Sequence, residues 1–405
     1  MPTLSIVVPT RERSDTLFHT IRTLVDQDYQ DCEILISDNA SKDNTRQVVE
    51  SFSDSRIRYE NTGKRVSMSE NWEYALQRVR GDFVTYIGDD DGFIPGALTK
   101  AMRLLEQSPV DALVWSKIEY AWPDYIDENW RNWFSLQTDG NVVQMADGRK
   151  KLRMVMLFHE VYNRLPCIYN GIVRRTLLDK VVALSTNGLF FNSISPDVFS
   201  GIALSMIVDG YLLTDYPFSV SGASRHSIGT SFGRQPANGE DTPAAKFMSE
   251  IPRAYDPRIP MTPSIVAIVM GEYLLARQFF PGLRLPEPHW GHYIRAMIKN
   301  AKSSFFPDEV LRSAAHTARA VGLSASIPDT VVPSARLAAP LGIRQNTFSF
   351  KAPVDMVSNV HDACRLVAGM LPSAIGGDDT PPYRKFVSKI RDCVISEAKT
   401  LFRSF

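Results

Sequence analysis

The sequence has no excess of either charge. Lysine and arginine together number 45, and so do aspartate and glutamate. A chain that grips nucleic acid by its phosphates carries a basic surplus, so no nucleic-acid partner is expected. Cysteine is scarce: Cys32, Cys167, Cys364 and Cys393 lie far apart, with no CxxC pair. That spacing excludes a disulfide framework or a cysteine zinc site, and it fits a reduced, cytoplasmic protein. No apolar run reaches the ~20 residues that span a bilayer. The most apolar later stretch, Ile265 to Phe280, is interrupted by Glu272 and Arg277. The N-terminus runs from Met1-Pro2-Thr3 straight into a strand-like segment, without the basic and apolar blocks of a secretory leader. Glycine is missing between Ser5 and Arg13. Its absence removes the GxGxxG turn of an NAD-dependent dehydrogenase, and it counts against the glycine-rich loop of a sugar-nucleotide pyrophosphorylase. There is no internal repeat and no low-complexity tract.

What is present is a globular composition, 44% hydrophobic and 22% charged, in a chain too long for one core of ordinary size. The first ~115 residues alternate strand and helix signals, as a parallel α/β sheet requires. Leu4 to Val8 is a β-branched run ending at Pro9. Ser14 is the expected cap of a helix with Leu17, Ile21, Leu24 and Val25 on one face. Ile34-Leu35-Ile36 predicts a second strand and Ile57 to Tyr59 a weaker third. Trp72, Ala75, Leu76 and Val79 share a helix face that stops at Gly81, and Phe83 to Ile87 predicts the next strand. Beyond about Asp241 the pattern becomes helical, over 265–280, 290–301, 308–321, 354–370 and 383–405. The expected division is therefore 1–238 and a mainly helical 239–405.

Polar residues gather where strands end: Thr10 to Arg13, Asp38 to Ser41, and Asp89-Asp90-Asp91. Ligands of open α/β sheets bind beyond the carboxyl ends of the strands, so three such clusters point to one crevice. Three adjacent aspartates repel one another unless a cation sits among them. Mg2+ or Mn2+ prefers carboxylate oxygen and binds through one or two protein carboxylates plus substrate phosphates. A solvated acidic turn is the plain alternative for Asp-Asp-Asp-Gly, and a turn or helix cap is the plain alternative for Asp38-Asn39. Arg11, Arg13, Lys64 and Arg65 offer cations for phosphate, although exposed basic residues are common.

Three blocks in this order, Ser5-Ile6-Val7-Val8-Pro9-Thr10, then Ile36 through Thr45, then Gly81-Asp82-Phe83 through Asp91, resemble the family 2 glycosyltransferases of the GT-A fold. The resemblance is strong over residues 1–120 and loose over 160–235. It implies an α/β fold with a Rossmann-like mixed sheet that binds a nucleotide-sugar, followed here by the helical C-terminal part. Pro9, Thr10 and Arg13 would line the nucleotide pocket; Arg11, Asn39, Lys64 and Arg65, from the residue types alone, are further nucleotide-binding candidates. Asp38 would pair with the base, most often uracil. The acidic cluster looks like the family's DxD motif. The metal-binding pair is then Asp89 with Asp91, or Asp90 with Asp91, and Asp89 and Asp90 would also approach the nucleotide. The family often has an aspartate where Gly88 stands.

Inverting transfer needs a carboxylate to take the acceptor's proton, and the resemblance points to Asp197. Pro196 stands where the family usually has a glutamate, and a helix cap is the other role open to Asp197. His226 is the candidate third metal ligand. Tyr169, Asn170 and Arg225 are candidates for the acceptor side. A UDP-sugar donor and a saccharide, lipid-linked or other hydroxyl acceptor are expected, in polysaccharide or glycoconjugate synthesis. A non-catalytic nucleotide-sugar-binding subunit is the alternative of another class. Aromatic residues Trp122, Tyr125, Trp130 and Trp133 fall in a loop-like segment that would either stack on sugar or pack internally. The basic amphipathic 383–405 stretch would lie on a membrane surface or pack on the protein, and the helical part offers a surface for oligomers.

Overall fold

The structure, a computed structural model, describes residues 2–137, 142–228, 247, 250, 251, 254–324, 326–331, 342–344 and 347–371. Strands β1 (Leu4–Thr10), β2 (Cys32–Asp38), β3 (Ile57–Asn61) and β4 (Phe83–Tyr86) form the parallel half of an eight-stranded sheet. Its order places β2 on one side of β1 and β4 on the other. The chain therefore changes direction across the sheet at β1, the kind of switch point beyond which ligands of open α/β sheets bind.

Strands β1, β2 and β4 are buried on both faces, and their alternation sorts the core. Val7, Leu35, Val84 and Tyr86 face one hydrophobic cluster, whereas Ile6, Val8, Ile34, Ile36 and Phe83 face another. Helices α1 (Ser14–Val25) and α4 (Ala97–Glu106) cover the second face through Leu17, Ile21, Leu98 and Met102. Helix α2 (Thr45–Glu50) lies beside α1. Helix α3 (Met68–Leu76) covers the first face through Trp72 and Ala75, and its start is fixed by a capping box between Ser67 and Glu70. Arg13, rather than Ser14, occupies the cap position of α1, and Ser14 donates its N–H to Asp43 at 2.9 Å instead.

A short β5 (Gly92–Phe93) follows the acidic turn. The sheet is completed by β6 (Ala112–Trp115), β9 (Val143–Ala146), β10 (Gly171–Arg174) and β11 (Tyr211–Thr214) in the order β4-β10-β6-β11-β9. Because β10 runs antiparallel to β4 and β6, the sheet is mixed. Helices α5 (Gly148–Met156), α6 (Arg175–Ala183) and α7 (Pro196–Ser205) pack on the α3 face. A second sheet joins β5, β7 (Ile118–Ala121), β8 (Trp133–Gln137), β12 (Ser219–Ala223), β13 (Gly342–Arg344) and β14 (Thr347–Lys351).

Two expectations for the later chain change. The 122–147 segment is not a plain loop, because β8 and β9 lie in it. The C-terminal part is mainly helical but also supplies β13 and β14, with β14 antiparallel to β8 and Phe350 stacked on Phe134 at 4.8 Å. Helices α8 (Ile265–Phe279), α9 (Trp290–Ala301) and α10 (Pro307–Ala320) fall close to their expected bounds. The 354–370 stretch is helical only over α11 (Val360–Ala368), which Asn359 caps by accepting the N–H of Asp362 at 3.0 Å. Segment 383–405 lies outside the described residues. No helix among the described residues is long and apolar enough to cross a membrane. The described C-terminal helices α8, α9 and α10 share a core with the sheet. Val7 of β1 and Tyr293, Val310 and Ala314 of α9 and α10 belong to one buried cluster.

Candidate active site

The pairing register sets Thr10 of β1 beside Asp38 of β2, and Asp38 beside Asn61 of β3. The acidic turn leaves the end of β4 next to them. Asp38 is 1% exposed, and its carboxylate is held firmly. Tyr59 Oη and Asn61 Nδ2 donate to Oδ2 at 2.6 and 2.9 Å, and the Ser41 N–H donates to Oδ1 at 3.0 Å. A carboxylate has about four acceptor positions, so Oδ1 keeps capacity for one more donor. Asn39 does something else with its side chain. Its Nδ2 donates to the Val66 carbonyl at 2.8 Å and its Oδ1 accepts the Val66 N–H at 2.9 Å, which clamps the 62–66 loop. Pro9 lies partly exposed in β1 opposite Ser37.

The three aspartates of the turn are all buried, and each is bound differently. Asp89 accepts from Thr10 Oγ1 at 2.7 Å and from Arg13 at 2.8 Å. Arg13 also donates to the backbone carbonyl of His226, so it ties α1 to the segment after β12. Burial raises the pKa of Asp89 in spite of this partner, and the two nearby aspartates hold Arg13 firmly protonated against its own burial. Asp90 Oδ2 accepts from Ser224 Oγ at 2.8 Å and from Ser227 Oγ at 2.5 Å. Asp91 Oδ1 accepts the Gly222 N–H at 2.7 Å, and its Oδ2 accepts from the Gly88 N–H at 3.1 Å and from the Tyr169 hydroxyl. Burial first, and the charge of Asp90 second, push Asp91 up to about 6.

Glycine is required at 222. A Cβ there would fall 1.8 Å from the Asp90 carbonyl oxygen and 2.5 Å from Trp122 Nε1. Trp122 itself is buried and donates to the same carbonyl at 3.0 Å, so this aromatic residue supports the acidic turn from beneath. Gly88 is tight as well, its Cβ position lying 3.0 Å from Asp91 Oδ2 and 3.1 Å from Tyr169 Oη. An aspartate at 88 would crowd that pair.

Tyr169 links the acidic turn to the neighbourhood of Asp197. Its hydroxyl is pushed far above the usual phenol range by burial and by Asp91, with Asp197 contributing. Asp197, half-buried in the first turn of α7, accepts from Ser195 Oγ at 3.0 Å and from Tyr162 Oη at 3.2 Å. Lys117, just after β6, sits with its ammonium 5.7 Å from the centre of the Tyr169 ring and acts electrostatically on Asp91.

Several candidates are engaged elsewhere. Asn170 is buried in a left-handed conformation (φ 58°), which asparagine tolerates, and accepts from Ser219 Oγ at 3.1 Å. Arg225 is exposed, lying 3.5 Å from Asp124, and its Nε donates to His226 Nε2 at 3.0 Å. Arg11 and Arg65 both pair with the carboxylate of Glu250, and Lys64 is exposed. Among the described residues no group of three or more histidine, cysteine or acidic side chains is arranged to hold a metal ion. Asp89, Asp91 and His226 are therefore not assembled as one three-ligand set. Lys117, Tyr59, Asn61, Ser224 and Ser227 escaped the sequence reading. Tyr59 and Asn61 had a signal of their own, since alternate residues of β3 must face the end of β2.

Residues 5–180 match the family model for glycosyl transferase family 2. A GalNAc(5)-diNAcBac-PP-undecaprenol beta-1,3-glucosyltransferase of Campylobacter jejuni is 38% identical over 106 residues, 25% of this chain and 34% of that protein. The Escherichia coli UDP-Glc:alpha-D-GlcNAc-diphosphoundecaprenol beta-1,3-glucosyltransferase WfgD is 29% identical over 102 residues, covering 25% and 40%. The matches thus span roughly a third to two fifths of these relatives' lengths. Among solved structures, S. aureus TarS in complex with UDP-GlcNAc aligns over 80% of this chain and 93% of its own, at 16% identity and a TM-score of 0.43. Over residues 5–180, less than half of its length, the chain is thus similar to glycosyl transferase family 2.

Proposed function

We propose that the protein transfers a sugar, with inversion, from a nucleotide diphosphate sugar to a hydroxyl acceptor. The observation that carries this reading is the convergence of Asp38, Asp89 and Asp91 at the switch point of the sheet, with Tyr169 joining Asp91 to the wall that holds Asp197. Asp38, with Oδ1 still able to accept a donor, suits the edge of a uracil base. A UDP-sugar is the favoured donor.

A divalent cation, Mn2+ or Mg2+, suits the acidic turn. Asp89 is already neutralised by Arg13. Asp90 and Asp91 are the two carboxylates whose mutual repulsion a cation would relieve, so they are the residues that would hold it. Bound there, the ion would offset charge on the departing diphosphate. Asp197 would act as the base. The acceptor oxygen attacks the anomeric carbon as the bond to the diphosphate breaks on the opposite face, and the hydroxyl proton passes to the Asp197 carboxylate. Donors from Ser195 and Tyr162 keep that carboxylate aimed. Tyr169 and Lys117 would face the acceptor. The relatives' names describe undecaprenol-linked diphosphate saccharides as acceptors. A lipid-linked acceptor, and with it contact at the cytoplasmic membrane surface, is the corresponding proposal here.

The test is calorimetric titration with UDP, GDP, CDP and TDP, with and without Mn2+, followed by turnover of Asp197→Asn. Metal-dependent binding of UDP, with turnover lowered about 100-fold or more in the variant, supports the reading. A folded protein that binds none of the four overturns it.

A further inference from the structure

Among the described helices of the C-terminal part α8 is the most apolar, yet Glu272 stands at its centre with 0% exposure. Burying a carboxyl group is costly unless it is hydrogen-bonded. No cation pairs with it among the described residues. Instead, Glu272 Oε1 accepts three hydrogen bonds: from the Ile194 N–H at 3.0 Å, the Ser195 N–H at 2.6 Å and the Tyr255 hydroxyl at 2.8 Å. Its other oxygen, Oε2, is buried without a partner. Burial pushes its pKa up to about 8, which favours the neutral form.

The two backbone groups that it captures begin α7. Ser195 occupies the cap position, but its hydroxyl does not cap the helix. That hydroxyl donates to Asp197 Oδ1 at 3.0 Å. One residue therefore fixes the backbone of Ser195, and Ser195 in turn fixes Asp197. The segment just upstream is pinned from the other side by α3. Glu73 Oε2 accepts the Phe191 N–H at 2.8 Å, and Ser69 Oγ donates to the Ser193 carbonyl at 2.8 Å. With Glu272 removed, the Ile194 and Ser195 N–H groups would be left buried without an acceptor, which the turn could satisfy only by moving.

We propose that Glu272 is a positioning residue for sugar transfer: it locks the Ile194–Ser195 turn, so that Ser195 holds the Asp197 carboxylate in place. The inference rests on the proposed role of Asp197 as the base. It makes the C-terminal part of the chain a contributor to the catalytic geometry, through one side chain that makes no contact with substrate.

The experiment compares Glu272→Gln, Glu272→Leu, Asp197→Asn and the Glu272→Leu/Asp197→Asn double variant in the full chain. The readouts are UDP release from UDP-glucose with water as acceptor, UDP affinity by calorimetry, and amide hydrogen exchange of peptides covering 190–199. Misplacing a reacting group by an ångström costs on the order of 100-fold. Glu272→Leu is accordingly expected to lower kcat about 10- to 100-fold, with UDP affinity essentially unchanged and faster exchange over 190–199. Glu272→Gln, which keeps an acceptor oxygen, should restore most of the rate. The double variant should be no slower than Asp197→Asn alone. Unchanged kcat or unchanged exchange in Glu272→Leu overturns the proposal, as does a parallel loss of UDP affinity. An inactive Asp197→Asn beside an active Glu272→Leu refutes the positioning role alone. An active Asp197→Asn refutes the base assignment and the positioning role with it. If Glu272→Leu does not fold, Ser195→Ala, which removes the link to Asp197, must show the same fall in kcat with intact UDP binding.

Discussion

Replacing Gly222 with alanine adds a single methyl group, and the structure places that methyl inside its neighbours. The new carbon would lie 1.8 Å from the Asp90 carbonyl oxygen and 2.8 Å from the Asp90 carbonyl carbon, both backbone atoms that cannot rotate away. Either β12 or the acidic turn must shift. Overpacking of this kind costs about 1–3 kcal/mol. The shift also strains two hydrogen bonds, Gly222 N–H to Asp91 Oδ1 at 2.7 Å and Trp122 Nε1 to the Asp90 carbonyl at 3.0 Å. A bond to a charged group is worth roughly 1.5–3 kcal/mol and a neutral one about 1 kcal/mol. The terms overlap, since the movement that relieves the clash is the one that breaks the bonds, so the expected loss is about 3–5 kcal/mol. Urea unfolding followed by tryptophan fluorescence measures it, and titration with UDP and Mn2+ reads the effect on the turn. Gly88→Ala is the control. Its methyl would meet only side-chain atoms, at 3.0 Å and beyond, and should cost about 1 kcal/mol or less. If Gly222→Ala stays within about 1 kcal/mol of the parent and binds UDP unaltered, the close packing of β12 against the acidic turn is not what holds Asp90 and Asp91.

Tyr169→Phe removes one donor from Asp91 without changing packing, so Mn2+-dependent UDP affinity should fall by about 10-fold; an unchanged affinity would separate Tyr169 from the acidic turn. Glu272 predicts a pH effect on stability. Its folded pKa, about 8, lies above the ordinary 4.5, so the folded state holds the extra proton between those limits. Stability from this group is complete below about pH 4.5 and is lost as pH rises toward and through 8, at up to about 1.4 kcal/mol per pH unit. Glu272→Gln should flatten that slope in urea unfolding measured from pH 6 to 9, and an unchanged slope would assign it to other groups.

Much of the site was legible because its parts are local. A β-branched run followed by a polar end locates β1, β2 and β4 without knowledge of anything distant, and the parallel order then brings Thr10, Asp38 and Asp89 together. The positions of α8, α9 and α10 were legible for the same reason, from helical periodicity and flanking proline. What escaped depends on partners far along the chain. The pairing of β14 with β8 joins residues more than two hundred positions apart. Asn39 looks like a ligand contact in sequence and acts as a clamp on Val66. Glu272 reads as a mere interruption of an apolar stretch until Ile194 and Ser195 are seen to approach it. Side-chain partners across such separations leave no periodic trace.

The buried cluster that runs from Val7 in β1 to Ala314 in α10 has a thermodynamic consequence. When two regions share one core, neither can lose its packing while the other keeps it, so heat should melt the eight-stranded sheet and these C-terminal helices as a single cooperative unit. A calorimetric trace would then show one transition whose van't Hoff and calorimetric enthalpies agree. Cleavage between the two regions would leave the sheet with an exposed apolar face in place of an independent folded half.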